Sequence, residues 1–528
     1  MTPPQTLADL VDHVRENFAD IEGIVDGDVR LSYAELADAI DAFAAGLIAD
    51  GLQPGEAVAL WAPNIWEWVV AALGTFRAGG VLVPVNTRFK GREAAYVLGK
   101  AKVRVLITVT GFLDADYLGM LDASGESLPL LRRRVVLRGE TPAGAMSRTD
   151  LVALADDAAR AEVARRVAAI RPDDMGLVMF TSGTTGLPKG VMVLHNPIIR
   201  GFEFYGSCMG IERGERYLII SPFFHAFGLN GGIVPAMLFG ATILPWAVFD
   251  ATKVLEVIES ERVNIAPGPP AIFQGLLNHP DLDRYDVSSL QRCVTGAATI
   301  PVEMVIQMRE RLGMTAVITA YGMTETHGLA SICRADDDAE TIAKTSGRAL
   351  DGVELRIVDE DGNELPRGTA GELWVRGFNV MAGYLDDPEQ TAATITPDGW
   401  LRTGDIAVMD DRGYIDITDR MKDMFIVGGF NAYPAEIERM MIEHPRVGQV
   451  AVIGIPDERL GEVGAAFVVA APGPAPDRDE VIAWCREQMA NYKVPRAVWL
   501  VDALPLNPSN KVLKTELRDR AAALLAGG

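Results

Sequence analysis

Positive charge is scarce in this chain. Its 528 residues hold 49 Lys and Arg against 72 Asp and Glu, a formal net charge of −23. That balance argues against nucleic acid or an anionic membrane as the main partner, since both reward a basic face. A phosphate ligand must therefore be held locally, by backbone N–H nests and a few placed lysines. Cysteine is also scarce. Cys208, Cys293, Cys333 and Cys485 stand far apart with no CxxC pair. This disfavours a disulfide framework or a cysteine zinc site and fits reduced thiols in a cytoplasmic protein. The N-terminus, MTPPQTLADLVDHVRENFAD, has no basic segment leading into an apolar one, so no signal peptide is expected. No GxGxxG follows a strand-like run, which removes the usual fingerprint of nicotinamide oxidoreductases. No repeat of fixed period is present.

One stretch lacks charge altogether. From Tyr217 to Phe249 there is no Asp, Glu, Lys or Arg, a length that resembles a membrane span. It also holds Pro222, Pro235, Pro245, His225, Asn230 and several glycines. A lipid-facing helix there would leave backbone groups to be satisfied elsewhere. The stretch reads instead as buried core that could wall an apolar ligand pocket, with no transmembrane segment.

What is present is ordinary globular composition, with 49% hydrophobic and 23% charged residues. The length suffices for more than one core. The segment LSYAELADAIDAFAAGLIADG has helical apolar spacing and ends at Gly51. VALWAP and VLVPVN read as buried strands around a helix from Trp66 to Ala78, so α/β layers with parallel strands are expected. Residues 151–172 read as helical, and LVMF (177–180) as a further strand. Alternation continues through LQRCVTGAA and TAVITAYGMTE. From about residue 350, VELRIVDEDGNELPRGTAGELWVRG reads as strands joined by Asp-Gly and Gly turns. After Arg420 a compact α+β pattern follows: a helix from Pro434, the strands QVAVIGI and GAAFVVA, and a helix near 478–490. The expected fold is α/β. It has a large N-terminal domain (residues 1–420) of layered α/β sheets with a small β-barrel-like part, and a small mobile α+β C-terminal domain (residues 421–528).

The strongest chemical signal is TSGTTGLPKG, Thr181 to Gly190, directly after LVMF. Its glycines allow close backbone approach to a phosphate. The hydroxyls of Thr181, Ser182, Thr184 and Thr185 can donate to phosphate oxygens, and Lys189 adds a positive charge. It is not a Walker A loop, which needs GxxxxGK followed by Ser or Thr.

This run resembles the phosphate loop of the adenylate-forming superfamily, which spans acyl-CoA synthetases, luciferases and the adenylation domains of peptide synthetases. The resemblance continues in order over nearly the whole chain. It runs through PFFHAFG (222–228), TGAA (295–298), YGMTET (321–326), GELWVRGFNVMAGYLDDPEQT (371–391), GWLRTGD (399–405), DRMKDMFIVGGFNAYPAEIE (419–438) and LPLNPSNKVLK (504–514).

The resemblance implies a set of roles. Thr181, Ser182, Gly183, Thr184, Thr185, Gly186 and Lys189 would cradle the phosphates of ATP. Tyr321 would stack on adenine beside Gly296, Ala297 and Ala298, with Gly322 and Met323 in the same motif. Thr324 would bond an α-phosphate oxygen, and Glu325, a hard oxygen donor, would hold Mg²⁺. Asp405, joined by Arg420, would take the ribose hydroxyls. Lys511 would be the main cation of the adenylation step. Asn510 stands before it where the family pattern has glycine, and asparagine tolerates a left-handed turn well. His225, Phe227, Asn230, Gly296 and Ala297 would face the acid. PFFHAFG carries no Asp to pair with a substrate amine, so an amino acid is not the expected substrate. Lys422 would be the inter-domain hinge, and Gly428, Gly429 and Phe430 would line the channel for the thiol of coenzyme A.

The implied reaction is ATP-dependent ligation of a carboxylic acid to CoA through an acyl-adenylate, in the cytoplasm. A homodimer is left open. The runs NIAPGPPAIFQGLLNHP, VTGAATIPV and CRADDDAETIAKTSGR are similar to actinobacterial acyl-CoA synthetases of steroid breakdown. These act on the propanoate side chain of the hydroindanedione left after ring opening. Medium- and long-chain fatty acids are the other expected acids. The rival readings are a ligase that loads a separate carrier protein and a non-catalytic nucleotide-binding module.

Overall fold

The computed structural model describes residues 3–181, 188–296, 300–420, 423–427, 430–457, 460–489, 491–506 and 512–526. An eight-stranded sheet forms the centre of the large N-terminal part. Its order is Gly383–Tyr384, Lys189–Leu194, Met175–Thr181, Val81–Pro84, Ala57–Trp61, Val105–Thr108, Arg133–Val136 and Met146–Ser147. From Met175–Thr181 outwards to Met146–Ser147 the neighbours run parallel, while the two strands on the other side pair antiparallel. AVALW, VLVP and VLIT are buried at every residue, as continuous apolar runs covered on both faces must be.

Helix Trp66–Arg77 presses against this sheet, and helix Tyr33–Ala49 packs against that helix. Tyr33–Ala49 starts at a capping box, in which Ser32 accepts from the Glu35 amide and Glu35 accepts from the Ser32 amide. Trp66–Arg77 is buried along nearly its whole length. Its one buried cation, Arg77, is matched by Asp12 at 2.9 Å and by Asp41, which burial of a charge requires.

Two four-stranded sheets follow, one ordered Arg216–Ile219, Thr242–Pro245, Glu22–Asp26, Val29–Ser32 and the other Arg292–Thr295, Ala316–Tyr321, Ser331–Ile332, Arg348–Ala349. Ile265 bridges them, pairing with Tyr217 on one side and Arg292 on the other. The expected barrel-like part is a four-stranded antiparallel sheet of Val353–Val358, Gly371–Gly377, Leu401–Met409 and Ile415–Arg420.

Buried apolar side chains form two clusters, one spanning Leu7 to Ile415 and one spanning Phe425 to Ala521. The second packs helices Pro434–Met441, Arg478–Gln488 and Lys514–Ala526 against a five-stranded sheet. The uncharged stretch from Tyr217 folds as strand, short helical turns and strand, and most of it is buried. Val248 and Phe249 at its end are exposed. Among the described residues no helix is long and apolar enough to cross a membrane. The helical reading of 151–172 needs one correction. Helix Arg148–Ala153 stops, and Asp156 starts a new one over Asp157–Ala169 by accepting from the Ala159 amide at 2.8 Å. The second helix ends before Pro172, whose ring disfavours helical geometry in the residue ahead of it. All four cysteines are unpaired, and three are buried.

Candidate active site

Thr181, at the carboxyl end of a central strand, and Lys189 face each other across an antiparallel pair, which brings the two ends of the Gly/Thr-rich run together. Ser182, Gly183, Thr184, Thr185 and Gly186 lie outside the described residues. Strands Arg292–Thr295 and Ala316–Tyr321 run parallel, in register from Arg292 opposite Ala316 to Thr295 opposite Thr319. Gly296 and Tyr321 therefore leave the sheet at the same end, where ligands of open α/β sheets bind. A Cβ on Gly296 would stand 3.2 Å from the Ala320 carbonyl, so even alanine would crowd the neighbouring strand. Ala297 and Ala298 lie outside the described residues.

After Tyr321 the chain turns so tightly that a Cβ on Gly322 would collide with the Gly328 carbonyl. A short 3₁₀ turn, Thr324–Thr326, follows, fixed by Thr326 Oγ1 accepting from the Met323 amide at 3.0 Å. Thr324 stays partly exposed, while Glu325 is buried with 7% exposure. The Tyr384 hydroxyl donates to Glu325 Oε1 at 2.9 Å, and the Met381 amide donates to the Glu325 carbonyl at 2.9 Å. Burial, and then the Glu325 carboxylate beside it, pushes the Tyr384 phenol well above its ordinary pKa. The phenol therefore stays protonated, as a donor must.

His327 closes the turn in left-handed geometry, φ 54°. Its Nε2 accepts from the Leu194 amide at 2.9 Å, and its Nδ1 faces the Asn379 carbonyl at 2.8 Å. One nitrogen must accept and the other must donate, which defines a neutral ring protonated at Nδ1. Burial pushes its pKa down to about 4, against a smaller opposing effect of the Asn379 carbonyl. The His327 carbonyl accepts from Asn230 Nδ2 at 2.9 Å, which ties the uncharged stretch to this turn. Asn230 sits in a π-helical turn, Leu229–Ile233, a form frequent at functional sites. Asn230 Oδ1 and Thr295 Oγ1 are buried with no hydrogen-bond partner among the described residues. His225 caps the turn Ala226–Gly228, its Nδ1 accepting from the Phe227 amide at 3.2 Å. His225 and Phe227 are half-buried.

Tyr321 and Asp405 come from different sheets and meet, the Tyr321 hydroxyl donating to Asp405 Oδ2 at 2.5 Å. Asp405 is buried, with 6% exposure, and pairs in register with Arg420 on the neighbouring strand. The side chains of Arg420 and Phe430 lie outside the described residues, as do Lys422, Gly428, Gly429 and Lys511. Sequence reasoning missed Tyr384, His327 and Asn379. Tyr384 and Asn379 stand inside the run GELWVRGFNVMAGYLDDPEQT, and His327 follows YGMTET directly, so their places were marked though their contacts were not.

No group of three or more His, Cys, Asp or Glu able to hold a metal occurs among the described residues. Glu325 alone nevertheless suits Mg²⁺, which binds through one or two carboxylates and takes its remaining ligands from phosphates and water.

The chain matches known proteins along nearly its whole length. The AMP-binding enzyme family matches residues 11–385, and the AMP-binding enzyme C-terminal domain matches residues 436–511. The chain belongs to the AMP-binding enzyme family. It is 48% identical over 519 residues to a protein of Rhodococcus jostii (strain RHA1), the 3-[(3aS,4S,7aS)-7a-methyl-1,5-dioxo-octahydro-1H-inden-4-yl]propanoyl:CoA ligase, covering 98% of this chain and 99% of that one. A Mycobacterium tuberculosis protein of the same name is 45% identical over 515 residues, with 98% and 99% covered. Among solved structures, an anthranilate CoA ligase in complex with anthranoyl-AMP superposes with a TM-score of 0.89 at 26% identity, covering 100% of this chain and 99% of that one.

Proposed function

We propose that this chain is an AMP-forming acid–CoA ligase whose acid is a propanoate carried on a fused-ring hydroindanedione. The observation that carries this reading is the end-to-end match, 48% and 45% identical, with two ligases named for that acid. The site supports the ligase chemistry. A carboxylate is a poor electrophile, so its oxygen first attacks the α-phosphorus of ATP. The bond from that phosphorus to the bridging oxygen breaks, and pyrophosphate leaves. The CoA sulfur then attacks the acyl carbonyl, its proton passes to solvent, and AMP departs.

In this reading the run between Thr181 and Lys189 cradles phosphates, and Tyr321 and Asp405 take the adenosine. Thr324 bonds an α-phosphate oxygen, and Lys511 stabilises the charge that grows there. Glu325 holds Mg²⁺, which when bound neutralises phosphate oxygens. The stretch around His225, Phe227 and Asn230 walls the acid. The two apolar cores support a division into domains 1–420 and 421–528, hinged at Lys422. ATP and CoA as substrates, with unpaired thiols, fit a cytoplasmic enzyme.

The test is an acid panel with ATP and CoA, scored by thioester mass and kcat/KM. It should include the hydroindanedione propanoate, fatty acids of several lengths and aryl acids, with a carrier protein as alternative acceptor. The fused-ring propanoate should lead the panel with CoA as acceptor. A fatty acid in first place overturns the substrate reading, and preference for the carrier overturns the acceptor.

A further inference from the structure

The strand Lys189–Leu194, second in the central sheet beside the short edge strand Gly383–Tyr384, runs past three elements of the site. Lys189 stands at its phosphate-loop end, Val191 and Met192 pair with Tyr384 and Gly383, and the Leu194 amide donates to His327. Tyr384 is at the middle of this line and is itself firmly held. It is 7% exposed, and its amide donates to Thr391 Oγ1 at 2.9 Å. Its hydroxyl donates to Glu325 Oε1 at 2.9 Å, and the Lys189 ammonium stands 5.3 Å from its ring centroid. One side chain thus contacts both the lysine that closes the phosphate loop and the carboxylate read as the metal holder.

We propose that Tyr384 is a positioning residue for the divalent cation of the reaction: its hydroxyl fixes the plane of the Glu325 carboxylate, and its ring sets the spacing of Lys189 from it. This rests on the reading of Glu325 as the metal-holding residue. A glutamate's last torsion is broad and roughly two-fold, so burial alone does not aim a carboxylate. A rigid donor on one oxygen helps to do so. Partners that orient metal-binding groups typically contribute 10–100-fold in metal affinity. The ring acts separately on Lys189 through cation–π attraction, which the hydroxyl does not supply. The two parts of Tyr384 are therefore separable by substitution.

The experiment is Mn²⁺ binding to the full chain with ATP and no acid, followed by the electron-spin signal of free Mn²⁺. The proteins compared are the parent, Tyr384→Phe, Glu325→Gln and the double variant. Tyr384→Phe should weaken Mn²⁺ retention about ten-fold, and excess Mg²⁺ should restore its adenylation rate. Its KM for the acid should not change. In the Glu325→Gln background the same substitution should have no further effect on Mn²⁺, since the group it orients is gone. Parent-like Mn²⁺ affinity in Tyr384→Phe, with Glu325→Gln impaired, overturns the positioning role alone. Parent-like affinity in Glu325→Gln overturns the metal reading and the proposal with it. Equal losses from Tyr384→Phe in both backgrounds, with no rescue by Mg²⁺, mark a merely structural tyrosine and likewise overturn it.

Discussion

The polar groups within the first apolar core and those that join it to the second are held differently. In the first, Glu325, Asp405, Tyr321 and Asn230 are each bound to a side chain or backbone group from a distant element, and Glu325, Asp405 and Asn230 are almost wholly buried. Such hydrogen bonds are costly to leave unmade, so these residues keep one geometry. The second core joins the first through helix Pro434–Met441, where Arg439 meets Asp416 of strand Ile415–Arg420 in a two-pronged ion pair, both contacts at 2.6 Å. Both side chains keep more than a quarter of their exposure, 28% and 29%. Such a pair is worth about 1 kcal/mol or less, so it can be released and remade. On the function proposed above, this difference would let one chain hold a nucleotide rigidly and present different groups to it in turn.

The largest expected effect tests whether the second core supplies the cation of the first step. Lys511→Ala should lower acid-dependent ATP–pyrophosphate exchange about 10²–10³-fold, the usual cost of removing one group aimed at developing charge. Thioester formation from supplied acyl-AMP and CoA should stay near the parent rate. Equal loss in both steps would remove Lys511 from its assigned role. Next is Lys422→Pro, which locks one backbone angle at the junction of the cores. Adenylation should persist, and overall thioester synthesis should fall at least ten-fold, by the gating that domain movements commonly exert. A parent-like overall rate means the hinge is elsewhere.

A smaller effect probes the rigidity of the first core through its neutral histidines. His195 and His327 are both pushed to about 4 by burial, from an ordinary 6.5. The unfolded chain takes up protons below pH 6.5 that the folded chain refuses. Stability from these groups is thus complete above pH 6.5 and drains away as pH falls towards about 4. The slope is about 1.4 kcal/mol per pH unit for each ring. His327→Asn should flatten the urea-stability profile in that window by about this amount, leaving the share of His195. An unchanged slope would mean His327 is protonated in the fold.

The strands AVALW, VLVP and LVMF and the helix from Pro434 were legible in the sequence because each is a local pattern. A run of apolar residues or a proline at a helix start states its own structure. The break at Asp156 was less legible, because one capping side chain outweighed a continuous Ala/Arg pattern. The contacts of Tyr384 with Glu325 and of His327 with Leu194 were not legible at all. They join residues 59 and 133 positions apart, and no periodicity encodes which buried hydroxyl finds which carboxylate. Tyr321 and Asp405 were each expected at the nucleotide, but their direct hydrogen bond could come only from the packing of two sheets.

The smallest effect bears most directly on the comparison. If the second core changes its seat between the two half-reactions, the Arg439–Asp416 pair exists in only one of the seats. It then biases the equilibrium toward that seat by its own worth, about 1 kcal/mol, or roughly five-fold in population. Arg439→Ala removes the bias without touching a group assigned to either step. The half-reaction served by the present seat should slow, and the other should gain or hold steady, so that their ratio shifts about five-fold. Both rates are measured on one preparation, by pyrophosphate exchange and by single-turnover transfer from acyl-AMP to CoA. Asp416→Ala should reproduce the shift, and the double variant should add nothing to it. The ordinary ion-pair account predicts something else: a loss of stability with both half-reactions unchanged or reduced together. An unmoved ratio in both single variants would show that the two cores are joined by more than this latch.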